Sequence, residues 1–279
     1  MKKMIVILLA AALLLSVVGC KKAENKKLTV AMSPDFAPME FVDTSKTGQE
    51  QYVGFDVTLA NFLADELGME LEIKPMSFDA CMTAVQLGSV DMAISGFSWK
   101  PDRAENFLLS DYYIAGDNET QQSVVTVKAK ENTCKTQADF SGWKVGAQAS
   151  SLQEQLVKDE LIPAGAELVV YKSIDDAVLA LQTGKIDALA VAHGNGEAII
   201  ANNPDLAFTG FDFDVDPKYE NNVILLNKSN TEMLEKVNQV LAKAMAAGVY
   251  DGWYEDAKAL AGIPTAADVS YDDDGKPVS

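Results

Sequence analysis

The chain has one arginine, Arg103, one histidine, His193, and three cysteines in 279 residues. Each scarcity excludes something. A lone histidine and separated cysteines cannot assemble a zinc-type centre, which needs several such ligands at close spacing. Asp212, Asp214 and Asp216 alternate, but Pro217 stands where a calcium loop of the EF type needs glycine. No metal and no cofactor is expected, and the chain has no phosphate loop, nucleophile elbow or catalytic triad. Positive charge is also short: 23 basic residues face 41 acidic ones, for a net charge of −18. A surface this acidic argues against nucleic acid and anionic lipid as partners. Against twenty-two lysines, the single Arg103 is a candidate for a role lysine cannot fill. A guanidinium is a planar fork that grips a carboxylate through two parallel hydrogen bonds, and an ammonium is only a point charge. A lysine-biased composition also leaves one arginine somewhere by chance, so its neighbours must decide.

The first residues read as a targeting segment. Lys2 and Lys3 precede an apolar run over 4–18 with small residues mixed in. That is shorter than the roughly 20 residues a membrane-spanning helix needs, so it reads as an export signal over 1–19. The VVGC at 17–20 resembles the lipobox of bacterial lipoproteins, which implies lipidation (palmitate among the acyl chains) at Cys20. An ordinary secretory signal with an incidental cysteine is the alternative. Lipidation would hold the protein on the extracellular or periplasmic face of the cell membrane, with 20–27 as tether. Loss of 1–19 removes two lysines and no acid, taking the charge to −20.

Beyond the tether, strand-like and helix-like segments alternate without a dividing linker. Strands are expected over 28–32, 71–74, 90–94, 143–147, 168–171, 186–191 and 223–226. Helices are expected over 56–67, from a Ser77 cap to 87, from Ser150 or Ser151 to 161, from a Ser173 cap to 181, and over 230–246 and 249–260. Strands separated by helices imply parallel sheets with right-handed crossovers. The expected fold is α/β with two lobes, each a mostly parallel sheet flanked by helices, joined by two hinge crossings near 114–122 and 214–223. The expected division is 28–115 plus 220–263 for lobe 1, 116–219 for lobe 2, and 264–279 as a loosely held polar tail. Open parallel sheets bind ligands at the carboxyl ends of their strands, which puts a cleft between the lobes. Cys81 and Cys134 then fall in different lobes and are expected as free, partly buried thiols.

Within that frame an ordered set of short motifs occurs: YVGFDV at 52–57, LGSVDMAISGFS at 87–98, PDR at 101–103, FLLSDYY at 107–113, VGAQASS at 145–151 and GKIDA at 184–188. Together they resemble the extracellular solute-binding proteins of polar amino-acid ABC transporters, two-lobed proteins of the type II periplasmic-binding fold. The resemblance covers about 28–260. It implies that an amino acid binds between the lobes and that the closed protein delivers it to an ABC permease and its ATPase, with this chain a monomer and not an enzyme. It makes Arg103 the carboxylate-gripping residue. It makes Ser98 and Ser95 first-lobe hydrogen-bonding positions and Ser151 a hydroxyl at a second-lobe helix start. Phe36 and Phe78 become the aromatic pair that flanks the ligand side chain. The physics agrees: a carboxylate leaving water must be paired and hydrogen-bonded, and a helix start adds N–H donors. Plain capping for the serines and core packing for the phenylalanines are the structural alternatives.

One departure stands out. The family places an aspartate for the ligand's ammonium five residues after the Asp187 position, and here that residue is Ala192. Either another carboxylate, such as Glu119, neutralises the ammonium, or the ligand lacks one. Lys100 stands where the family often has threonine. His193, beside Ala192, either lines the cleft or starts a helix. Two other functions use the same architecture: a sensor that presents its closed form to a receptor, and a dehydratase-type enzyme, for which Asp35 or Glu119 would be the acid or base.

Overall fold

The computed structural model describes residues 26–113, 121–219, 221–265, 267–268, 270–271 and 277–278. In chain order the first part runs β1 (Lys27–Met32), β2 (Asp35–Phe36), β3 (Glu40–Val42), β4 (Tyr52–Val53), α1 (Phe55–Leu67), β5 (Glu70–Pro75), α2 (Phe78–Gln86), β6 (Met92–Ala93), α3 (Pro101–Asn106) and β7 (Leu108–Leu109). The second part runs β8 (Gln122–Val127), β9 (Lys144–Gln148), α4 (Leu152–Leu156), β10 (Glu167–Tyr171), α5 (Ile174–Gln182), β11 (Ala188–Ala192), α6 (His193–Asn202) and β12 (Leu206–Asp212). The chain then returns through β13 (Leu225–Leu226), α7 (Thr231–Ala247) and α8 (Tyr250–Leu260). Ser270–Tyr271 (β14) and Pro277–Val278 (β15) pair in the tail that the sequence left as loosely held.

Two five-stranded sheets result, in the orders β5-β1-β6-β13-β7 and β10-β9-β11-β8-β12. The three strands joined by helices pair in parallel in each sheet, as such connections require. In each sheet one further strand, β13 or β8, runs against these three, and the last, β7 or β12, pairs antiparallel with it. Their place follows from the chain path: β8 enters the second sheet after the first crossing, and β13 re-enters the first after the second. Both sheets are covered on both faces. Leu28, Val30 and Met32 alternate into a core with α1, α7 and α8, while Ala31 faces α2. In the second sheet Val145, Ala188 and Ala190 face α4, and Leu189 and Val191 face α5 and α6.

Most local readings hold. Ser151 and Ser173 cap α4 and α5 by accepting from the N–H of Glu154 and Asp176, at 3.0 and 3.4 Å. Ser77 precedes α2 but makes no such cap; its hydroxyl donates instead to Asp79. The helix expected to reach 161 is α-helical only to Leu156 and continues as a widened π turn over Val157–Leu161. Cys81 and Cys134 are free, buried and packed in separate cores. Among the described residues no helix is long and apolar enough to cross a membrane.

Candidate functional site

The carboxyl ends of the parallel strands of both sheets meet at one cavity, the place where open α/β sheets hold their ligands. From the first lobe come Ser33 after β1, Asp35 and Phe36 of β2, Glu40 of β3, Phe78 at the start of α2, Ser95, Gly96 and Ser98 after β6, and Arg103. From the second come Gln148 at the end of β9, Ser151, Ile174 after β10, Ala192 at the end of β11, and Asn195 on α6. Thus Arg103, Ser98, Ser95, Ser151, Phe36 and Phe78, chosen from sequence, all line one space. Glu119 and Cys20 lie outside the described residues.

Arg103 is 2 % exposed. Pro101 opens α3, where a missing N–H costs nothing, and fixes the turn that carries the arginine. The guanidinium carbon lies 5.5 and 5.3 Å from the ring centres of Phe78 and Phe97, which stack on each other at 4.5 Å. Nη1 donates to the Ser98 carbonyl at 2.5 Å and Nη2 to the Ser150 carbonyl at 3.0 Å. A guanidinium has five N–H groups, and these two bonds leave three without a partner among the described residues. Among the described residues no carboxylate forms an ion pair with it. Burial lowers its pKa to about 10, so it still carries its charge at neutral pH. Ser150 adopts φ 65°, a left-handed backbone uncommon outside glycine, and its carbonyl is the one that meets Arg103 from the second lobe.

Asp35 joins the lobes. It accepts from the Ile174 N–H at 2.8 Å, from Gln148 Nε2 at 3.3 and 3.4 Å, and from the Ser33 hydroxyl at 2.9 Å. Burial raises its pKa, and these bonds oppose the rise. Asn195 Nδ2 adds a bond across the cleft, to the Ala37 carbonyl at 2.9 Å. Gly96 has φ +56°, and a side chain there would run into the Phe36 ring, which packs over it.

Beneath Ser95 lies a polar cluster that the sequence reading missed. Glu40 and Asp56 are both 0 % exposed. The Ser95 hydroxyl donates to Glu40 Oε1 through a short bond. Asp56 Oδ2 accepts from the Gly96 N–H at 2.7 Å and the Tyr113 hydroxyl at 3.1 Å. Burial and the neighbouring Asp56 push Glu40 well above the usual carboxylate range, and burial raises Asp56 to about 7. Gly54 makes this approach possible: a side chain there would collide with the Pro38 and Met39 carbonyls, which accept the first amides of α1. The signal lay in YVGFDV, which holds both Gly54 and Asp56, but nothing in the sequence pairs 56 with 40.

His193 resolves to the first residue of α6. It stacks on Phe208 at 4.5 Å, its Nδ1 is 2.8 Å from the Ser123 hydroxyl, and it does not line the cavity. Lys100 lies in an adjoining groove with Asp102, Glu154 and Lys158, its pKa lowered by burial and then by Arg103.

Two α/β lobes closing on a cavity with a buried, carboxylate-free arginine define a small-solute binding protein. Residues 28–256 match the bacterial extracellular solute-binding proteins, family 3, and the chain belongs to that family. The amino acid ABC transporter substrate-binding protein AbpA of Streptococcus pneumoniae, solved bound to L-arginine, is similar at 34 % identity and TM-score 0.77, over 86 % of this chain and 97 % of that one. An ancestral arginine-binding protein bound to glutamine shares 32 % identity at TM-score 0.73, over 83 % and 97 %. The arginine-binding extracellular protein ArtP of Bacillus subtilis shares 28 % identity over 86 % of this chain and 92 % of its own.

Proposed function

We propose that the chain binds an amino acid or closely related small carboxylate outside the cell and delivers it to an ABC importer. The observation that carries this reading is Arg103: buried, charged, held on two rings and two carbonyls, with three N–H groups left for a carboxylate. Relatives that bind arginine or were solved with arginine or glutamine support it. In this reading Ser98, Ser95 and Ser151 supply hydrogen bonds, and Phe36 and Phe78 flank the ligand's side chain. Lobe 1 comprises 28–115 and 220–263 and lobe 2 comprises 116–219, a division supported by membership of the two sheets. Cys20 carries the lipid that keeps a monomer on the membrane's outer face, where the closed form meets the permease and its ATPase.

The test is calorimetric titration of the purified protein, unfolded and refolded to strip carried-over ligand, with the common L-amino acids and their amine-free counterparts. Micromolar or tighter binding of one of them, lost in Arg103→Lys, is expected. Silence across both sets would overturn the reading.

A further inference from the structure

Ala192, at the end of β11, lines the cavity and is 2 % exposed, and its methyl side chain offers an amine no acceptor. The first lobe offers an alternative. A serine hydroxyl has one donor and two acceptor lone pairs. The Ser95 proton is committed to Glu40, and one lone pair takes the Ser33 N–H at 3.0 Å. What remains on this cavity-lining hydroxyl is a single acceptor, suited to an N–H and useless to a carboxylate. Behind it stand two buried oxygens without a hydrogen-bond partner among the described residues, Glu40 Oε2 and Asp56 Oδ1. They belong to two carboxyls that interact with each other, both raised by burial. A further unpartnered acceptor, Asn195 Oδ1, is on a side chain 2 % exposed that lines the same cavity three residues after Ala192.

We propose that the ligand carries a protonated amine, that this amine docks on Ser95 backed by the Glu40–Asp56 pair, and that its arrival expels a proton from that pair to solvent. This rests on the amino-acid reading above and deepens it. The exchange balances: one proton leaves the pair, and the ammonium replaces its charge beside the same oxygens. The other titratable groups that interact with the pair are Asp35 of β2, Tyr113 after β7 and Cys81 of α2, with Tyr250 of α8 acting on Tyr113. None of them is a base that would hold the pair ionised in the ligand's absence. Burial without a cation is why the pair keeps its proton, and a cation in the cavity is the missing partner. Glu40 is then a positioning residue for Ser95 and an electrostatic one for the amine.

Titration calorimetry in buffers of different ionisation enthalpy counts the protons released. The twenty common L-amino acids and their amine-free counterparts serve as probes, against the wild-type protein, Glu40→Gln, Glu119→Gln and Arg103→Lys. The bound amino acid should release about 0.5–1 proton near neutral pH, and its affinity should rise by up to about tenfold per pH unit between about pH 5.5 and 7. Glu40→Gln should abolish the release and shift selectivity by about tenfold or more toward the amine-free acid. Arg103→Lys should weaken both classes alike. Amine-free acids that bind the wild-type protein as tightly as amino acids would overturn the proposal while leaving the carboxylate reading intact. So would release that persists in Glu40→Gln, or selectivity that vanishes in Glu119→Gln instead. Absence of binding in both classes would overturn the reading on which it rests.

Discussion

The two walls of the cavity are built from different chemistry. Among the described residues, every ionisable side chain that lines it comes from the first lobe: Arg103, Asp35 and Glu40. The second lobe presents a hydroxyl, three carboxamides and apolar groups: Ser151, Gln148, Gln153, Asn195, Leu152, Ile174 and Ala190 to Ala192. The charged wall is also tied down from behind. Its arginine is stacked on two rings and its Ser95 is tied to Ser33 and Glu40. The neutral wall reaches across through Gln148, Asn195 and the carbonyl of Ser150. The contrast suggests a division of labour in which a charged ligand docks on preorganised charge and the second lobe closes with short polar contacts. Each such bond is individually modest, about 0.5–3 kcal/mol even where Asp35 or Arg103 takes part, which suits a closure that must reopen.

The largest way to break the contrast is Arg103→Lys. It keeps a charge but loses the fork and the stacking, and the dissociation constant should rise about a hundredfold or more, read by calorimetry. Asp35→Asn strikes the junction between the walls. The amide cannot reproduce acceptance at both oxygens from Ile174 and Gln148. The closed form should lose about 1–3 kcal/mol, measured as a shift toward a more open envelope in small-angle scattering without ligand. Ser151→Ala tests the neutral wall. It removes the cap on Glu154 N–H, which should cost about 1 kcal/mol in unfolding experiments, and should weaken ligand binding by roughly tenfold or less.

The smallest expected effect sharpens the charged wall alone. Glu40 and Asp56 have pKa values raised in the folded protein. A raised carboxyl holds its proton longer when folded, so its contribution to stability is complete below the unfolded pKa, near pH 4, and is lost as pH rises through the folded value, about 7 for Asp56. Thermal melts of the ligand-free protein should show this declining component between those limits, and Asp56→Asn should flatten it. Surface carboxylates such as Asp43 and Asp139 shift the other way and contribute an opposing, acid-side loss.

What was legible in the sequence follows the same divide between local and non-local physics. The βα alternation, the helix spans 56–67 and 230–246, and the Ser151 and Ser173 caps are local signals, and they landed within a residue or two. Arg103 was legible because arginine is otherwise absent and Pro101 marks its turn. The small β2-β3-β4 sheet was not read, since its strands have two or three residues and no period to detect. Strands β8 and β12 were also missed, and with them the antiparallel half of the second sheet. Glu40 escaped because its partner Asp56 is brought to it only by the contact of Gly54 with the 38–39 carbonyls. A glutamate in a short extended segment reads as surface until the fold buries it.

The central claim, that a ligand carboxylate is held by Arg103 between the lobes, is tested most directly by a crystal structure with the tightest-binding compound from the titration panel. The account predicts the carboxylate against the free N–H groups of Arg103, with Ser98 and Ser151 in hydrogen-bonding reach. A ligand bound elsewhere, or with another group turned toward Arg103, would contradict it.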